Sequence, residues 1–292
     1  MLDKGGEELM GKICNWLVTG DTHSHFDGLF DKLYWKDCAP EETAIIILGD
    51  SGLNFWRGRD RGSYKMDEKL QQALEDSKYR WYILRGNHDQ RPETIPGTYI
   101  WYDDEVDNDV YVREGYPNIR YLIDGNIYTF DGYRCLALGG AYSVDKWVRL
   151  QRKTLTGWCG WWANEQLNQQ EMDTIYEELA ARREPIDFVL SHTCPKSWEP
   201  TDLFLNTVDQ SGVDKTMEEW LDKVKDVVDW QFWMFGHYHA DRLECPYVIQ
   251  VYEDIWSFEE VDWLWHDYKR SGPNIFEEGR WEVKLSPKEV WK

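Results

Sequence analysis

The chain has no run approaching the ~20 apolar residues needed to cross a bilayer, and its N-terminus lacks a basic stretch leading into an apolar core. Its six cysteines, Cys14, Cys38, Cys135, Cys159, Cys194 and Cys245, are scattered and form no C-x-x-C pair. That pattern argues against a thiolate metal site or a disulfide framework, and for free thiols in a reducing compartment. Positive charge is also scarce. Against 54 Asp and Glu stand only 33 Lys and Arg, a net charge of -21. A surface of that sign is poorly suited to gripping the backbone of an extended nucleic-acid duplex or an anionic membrane. Internal repeats, low-complexity tracts and long linkers are missing as well. The expectation is a cytoplasmic chain with one domain across 1–292, the first dozen residues forming a flexible extension.

Aromatics, by contrast, are abundant: 18 Trp, 17 Tyr and 10 Phe in 292 residues. Apolar runs that read as buried strands occur at 13–19, 43–50, 79–85, 185–191 and 230–235. Helical spacing between them, at about 26–35, 63–78, 161–184 and 214–228, gives the βαβ alternation of a parallel sheet. The longest helix is expected to start at Asn164. Between about 98 and 140, short apolar runs alternate with Asp, Asn and Gly turns, which predicts antiparallel strands. The tail reads as short strands, such as "YVIQVY".

Five of the seven histidines follow strand-like runs: His23, His88, His192, His237 and His239. Loops beyond the carboxyl ends of parallel strands converge on one crevice. Asp21, Asp50, Asn87 and Asp89 share those loops. Imidazole, carboxylate and amide oxygen suit Mn, Fe, Zn, Co or Ni. Seven such groups, Asp21, His23, Asp50, Asn87, His192, His237 and His239, exceed what one tetrahedral ion needs. They suit two ions sharing a carboxylate.

The ordered blocks "GDTH" (20–23), "GDSG" (49–52), "GNHD" (86–89), "SHT" (191–193) and "GHYH" (236–239) resemble the calcineurin-like metallophosphoesterases. The resemblance implies an α/β fold, a four-layer α/β/β/α sandwich with mixed sheets, carrying two divalent metal ions, manganese foremost, at its rim. It implies that Asp21, His23 and His239 hold one ion, that Asn87, His192 and His237 hold the other, and that Asp50 bridges them. A hydroxide between the ions would then attack phosphorus in a phosphomonoester or phosphodiester. His88 would steady the developing charge or protonate the leaving oxygen, oriented by Asp89.

Substrate contacts are expected from Arg85, Tyr142 and Arg149. In protein Ser/Thr phosphatases a similar "RGNHE" sets an Arg against phosphate, which makes Arg85 a candidate clamp. Arg57 or Arg149 would be its companion. Against that identity, the phosphatase block "GDxVDRG" is replaced here by "GDSGLNFWRG". Arg149 also reads as the partner of Asp145 one helical turn away. His25 reads as a polar residue at the site mouth and His266 as structural. "WCGWW" (158–162) reads as core packing or as an aromatic platform. Three functions follow: a phosphoesterase acting on a small phosphate ester, nucleotide or phosphopeptide; a phosphoprotein phosphatase; and a metal-binding scaffold without activity.

Overall fold

A computed structural model describes residues 12–56, 61–245 and 247–271. The expected flexible extension at the N-terminus, save Lys12, and Arg57 lie outside the described residues. The chain begins with a βαβαβ unit: β1 (Asn15–Thr19), α1 (Asp27–Trp35), β2 (Thr43–Ile47), α2 (Arg61–Asp76) and β3 (Arg80–Ile83). The three strands are parallel, with Leu17 opposite Ile45 and Ile45 opposite Trp81. An antiparallel meander follows: β4 (Thr98–Asp103), β5 (Asn108–Arg113) and β6 (Tyr116–Tyr121). β6 joins β3 in parallel, so these strands form one sheet. The hairpin β7 (Ile127–Phe130) and β8 (Tyr133–Leu138) opens a second sheet. Helices α3 (Lys146–Thr156) and α4 (Gln169–Ala181) lead to β9 (Ile186–Ser191), and α5 (Thr216–Val227) leads to β10 (Trp230–Phe235). Short strands β11 (Arg242–Cys245), β12 (Val248–Gln250) and β13 (Trp256–Ser257) precede α6 (Phe258–Ser271). The sheet orders are β13-β1-β2-β3-β6-β5-β4 and β11-β12-β10-β9-β8-β7. Both sheets are mixed.

Strand alternation explains the layering. Successive side chains of a strand point to opposite faces, so a strand buried on both sides is apolar throughout. Leu17, Ile45, Ile47, Trp81 and Ile83 face outward, where Phe26, Leu29 and Leu33 of the α1 region and Leu74 of α2 cover them. The alternate residues Val18, Ile46, Leu48, Tyr82 and Leu84 face inward, against Phe130, Ala137, Phe188, Leu190 and Met234 of the other sheet. The far side of that sheet, including Leu138, Val189, Trp233 and Phe235, is covered by Met172, Ile175 and Leu179 of α4 and Trp220, Leu221 and Val224 of α5. Three apolar layers between four structural layers give the expected α/β/β/α sandwich. Many of the aromatics sit in those layers, with Trp16, Tyr82 and Phe130 mutually in contact at centroid distances of 5.1–5.5 Å.

Two sequence readings need correction, the start of the helix before β9 and the make-up of the tail. The long helix starts at Gln169 rather than near Asn164. Asn168 accepts from the Glu171 amide while Glu171 accepts from the Asn168 amide, a reciprocal capping box. Residues 146–156 form a helix, ended by Gly157 in the left-handed region at φ 76°. The tail is mainly α6, whose Phe258 and Val261 plug the space between the sheets. Cys14, Cys38, Cys135, Cys159 and Cys194 are free thiols. No helix among the described residues is long and apolar enough to cross a membrane.

Candidate metal centre

β1, β2, β3, β9 and β10 each run into a polar loop, and backbone hydrogen bonds lace those loops together. The His23 amide donates to Asp50 O at 2.8 Å, and the Gly236 amide to His192 O at 3.0 Å. The loops approach so closely that side chains would collide with ligands. A Cβ on Gly86 would strike the Asp50 carboxylate, and one on Gly236 would strike that of Asp21. Four candidate ligands sit in left-handed backbone: His23 (φ 45°), Asp50 (49°), His237 (69°) and His239 (51°). That conformation is uncommon outside glycine and costs each residue about 1–3 kcal/mol.

The side chains fall into two groups on either side of Asp50. On one side, His239 Nε2 lies 3.2 Å from Asp21 Oδ2 and 2.9 Å from His23 Nε2. Asp21 is held from behind by the His237 amide, 3.1 Å from both carboxylate oxygens. On the other side, His192 Nε2 lies 2.9 Å from Asn87 Oδ1 and 3.6 Å from Asp50 Oδ1. The His237 ring stands edge-on to His192, with centroids 5.0 Å apart. Asp50 Oδ2 is 3.9 Å from His23 Nε2 and 4.0 Å from His88 Nε2. All seven predicted ligands therefore face one cup.

The chemistry of this donor set fits cations. The Nδ1–H of His192 donates to Leu48 O at 2.7 Å, which leaves Nε2 as a bare lone pair. That lone pair points at the oxygen, not the nitrogen, of Asn87. The amide is fixed in this sense because its Nδ2 donates to Ser143 Oγ at 3.0 Å, and Ser143 Oγ donates to Glu165 Oε2 at 2.6 Å. Two acceptors thus meet at hydrogen-bonding distance with no proton assigned between them. The His23–His239 pair, also 2.9 Å apart, likewise needs a proton or a cation in the gap. Electrostatics agree. Burial opposes charge on Asp50, but His88, His192 and His23 hold its carboxyl well below the usual range. Burial and then His192 push the His237 imidazole far down, towards the neutral ligand form. The hydrogen bond to Asp21 raises His239.

The residues beside the cup depart from expectation. Asp89 does not reach His88. Its Oδ2 accepts from the Gly86 amide at 2.8 Å and its Oδ1 from Ser51 Oγ at 3.3 Å, so it shapes the "GNHD" turn. Burial, and then the charge of Asp50, raise this carboxyl to about 7. What meets His88 is Arg149, whose Nη2 lies 2.9 Å from Nδ1 and 3.1 Å from Nε2. Arg149 in turn bonds Asp145 at 2.7 Å, one turn away at the start of α3. Burial first, and Arg149 among the charges, lower the His88 pKa despite Asp50. The neutral tautomer that accepts from Arg149 on one nitrogen carries its proton on the other.

Arg85 is not a phosphate clamp. It is buried, and its guanidinium bonds Asp124 at 2.9 Å, Gly139 O at 3.2 Å and Glu165 O. Its fork is spent on the scaffold. Tyr142 does line the cavity over the cup. The "WCGWW" segment packs. Trp158 stacks on Trp56 at 5.1 Å and meets Phe55 edge-on at 5.4 Å, while Phe55 stacks on His88 at 5.9 Å. His25 is exposed outside the cup, and His266 pairs with Asp262 on α6. The sequence reading missed Ser143 and Glu165. Ser143 lies in the loop after β8, where the strand-end rule applied to the other loops would have found it.

A family model described as calcineurin-like phosphoesterase matches residues 15–241. No curated protein sequence matches the chain. Among solved structures, TT1561 of Thermus thermophilus is similar at 14% identity, covering 83% of this chain and 96% of that one, with a TM-score of 0.40. Phosphopantetheinyl hydrolase from Mycobacterium tuberculosis is similar at 11% identity, covering 88% and 92%, with a TM-score of 0.33.

Proposed function

The chain belongs to the calcineurin-like phosphoesterase family, hydrolases acting on phosphoester bonds, and on that premise we propose that it cleaves a small phosphate ester with two divalent cations. Asp21, His23 and His239 would hold one, Asn87, His192 and His237 the other, with Asp50 shared. The observation that carries this reading is the pair of close ligand-to-ligand contacts flanking Asp50, His23 with His239 and His192 with Asn87, each at 2.9 Å. Divalent ions in such a cup polarise the phosphoryl group and make water nucleophilic near neutral pH.

The protein's own groups do the rest. Neutral His88 would offer its one N–H to a phosphoryl or leaving oxygen, with Arg149 Nη2 within 2.9–3.1 Å of the two ring nitrogens. Arg149 brings a fixed positive charge to the same wall, where a phosphate gains most from it. Phe55, backed by Trp158, holds the His88 ring flat. Manganese suits the three oxygen donors, and Fe, Zn, Co and Ni suit the four imidazoles. The acidic surface disfavours long duplexes. The phosphoprotein alternative loses its main support with Arg85 committed to Asp124.

The test is hydrolysis of p-nitrophenyl phosphate and bis-p-nitrophenyl phosphate by chelator-stripped protein before and after Mn²⁺ is restored. Turnover of at least one, only after restoration, is expected. Failure on both, with bound metal confirmed by elemental analysis, refutes the reading. Asp50→Asn should lose metal and turnover together.

A further inference from the structure

One polar group near the cup is used by none of this chemistry. Glu218 of α5 is 3% exposed. Its Oε1 accepts from Thr193 Oγ1 at 3.0 Å, and its Oε2 is buried with no hydrogen-bond partner among the described residues. Buried polar atoms are seldom left so, because the lost hydration is not recovered. The charge of Lys215 eases the burial of Glu218 only in part. Lys215 Nζ bonds Glu199 at 2.5 Å and lies over the Phe204 ring at 4.7 Å.

Glu218 lines the cavity whose floor is the cup. That cavity, of about 380 Å³, is bounded below by Asp50, Asn87, His88, His237 and His239. Its walls are mostly apolar, with Leu203, Phe204 and Leu205 among them, and also carry Gln210, Lys215 and Tyr238. A phosphoryl group seated on the floor therefore directs its ester substituent into a mostly apolar chamber lined in part by Glu218, whose Oε2 is buried and unpaired.

We propose that the substrate is a phosphate ester whose organic part is a compact apolar body ending in a hydroxyl or amine, and that this terminal donor bonds Glu218 Oε2. The inference rests on the phosphoesterase reading for the placement of the phosphate. It goes further in assigning Glu218 as a specificity residue and in disfavouring substituents that are polar throughout, such as sugars. Recognition follows from loss as much as gain. An analogue without the donor leaves the carboxyl unpaired in a dry wall, and such sites reject isosteres strongly.

The experiment compares 4-(hydroxymethyl)benzylphosphonate with its near-isostere 4-ethylbenzylphosphonate, by calorimetric titration into the Mn²⁺-loaded protein. Both are equally charged, so the acidic surface treats them alike. The hydroxymethyl compound should bind about tenfold tighter or more, and Glu218→Leu should abolish the difference. Equal affinities in the parent protein, no binding of either compound, or a preference that survives Glu218→Leu would each overturn the proposal. Should Glu218→Leu fail to fold, the parent comparison and Glu218→Gln decide. Gln keeps an acceptor oxygen and should retain part of the preference. The corresponding phosphate esters separate the two readings. Hydrolysis of both at one kcat/KM overturns the Glu218 role and leaves the hydrolase standing, whereas binding preference without any hydrolysis overturns the hydrolase and leaves the chamber.

Discussion

Ser143→Ala is the most informative single change, because it touches no predicted ligand directly at the ligand atom. The hydroxyl does two things: it accepts from Asn87 Nδ2 at 3.0 Å and donates to Glu165 Oε2 at 2.6 Å. Glu165 is 3% exposed and Asn87 2%, so water does not readily replace what is lost. Leaving buried polar groups unpaired costs about 1–3 kcal/mol. The Ser143 amide remains on Glu165 Oε1 at 3.1 Å, which places the stability loss toward the lower end. The larger effect falls on the metal. With Nδ2 unanchored, the Asn87 amide can rotate and satisfy His192 by presenting its NH₂, which removes a ligand oxygen. Loss of such an orienting partner typically weakens metal affinity by about 10–100-fold. Titration of the metal-free protein with Mn²⁺, followed calorimetrically, should show one binding step weakened by that amount. The step assigned to Asp21, His23 and His239 should be unchanged. Two unaltered steps beside a lowered Tm, or equal weakening of both, would refute the reasoning that the Glu165–Ser143–Asn87 chain serves one ion.

Other changes probe other claims. Arg85→Ala should cost roughly 3–5 kcal/mol of stability, because it strands Asp124 in a buried pair, while KM of the folded enzyme stays near the parent value. A large rise in KM with unchanged melting would restore Arg85 as a phosphate clamp. His88→Asn should retain metal by elemental analysis yet lower kcat by about 10²–10⁴-fold; stripped metal would make His88 a ligand instead. Glu218→Gln should change the pH dependence of stability. Burial raises Glu218 from 4.5 to about 7 in the folded state, so between those values the folded protein binds more protons than the unfolded chain. Parent stability should therefore fall as pH rises through that window, by roughly 3 kcal/mol at 1.36 kcal/mol per unit. The Glu218→Gln protein should lack that loss, as denaturant unfolding of the metal-free forms at pH 5 and pH 8 would show.

The candidate ligands could be picked out because the same local pattern recurs five times. An apolar strand ends, a tight turn follows, and a His, Asp or Asn is delivered to a shared rim. The apolar runs made the buried parallel strands readable, whereas the four-layer sandwich was implied by the family resemblance and not by the pattern itself. What escaped depends on contacts remote in sequence. Arg85 looked like a phosphate ligand because "RGNHD" resembles the "RGNHE" of protein phosphatases, yet Asp124 and Glu165, far along the chain, claim it. Asp89 was paired with His88 through the family resemblance, but its carboxylate is taken by the Gly86 amide and Ser51. The start of α4 was legible in principle. Asn168 has Glu171 three residues on and Asn164 does not, and the reciprocal cap is what sets the boundary. α6 was overlooked because the tail was read as short strands throughout, whereas strand ends at Ser257, and Phe258 and Val261 pack between the sheets.

The left-handed backbone at His23, Asp50, His237 and His239 sets this centre against the chain that carries it. Each of these residues would leave the empty fold more comfortable if it were glycine. A selection scheme that rewards heat resistance alone, without metal or substrate present, should therefore drift toward glycine or asparagine at these four positions. Variants enriched that way would melt later and catalyse nothing, and their recurrence would locate the working residues without an assay for any substrate.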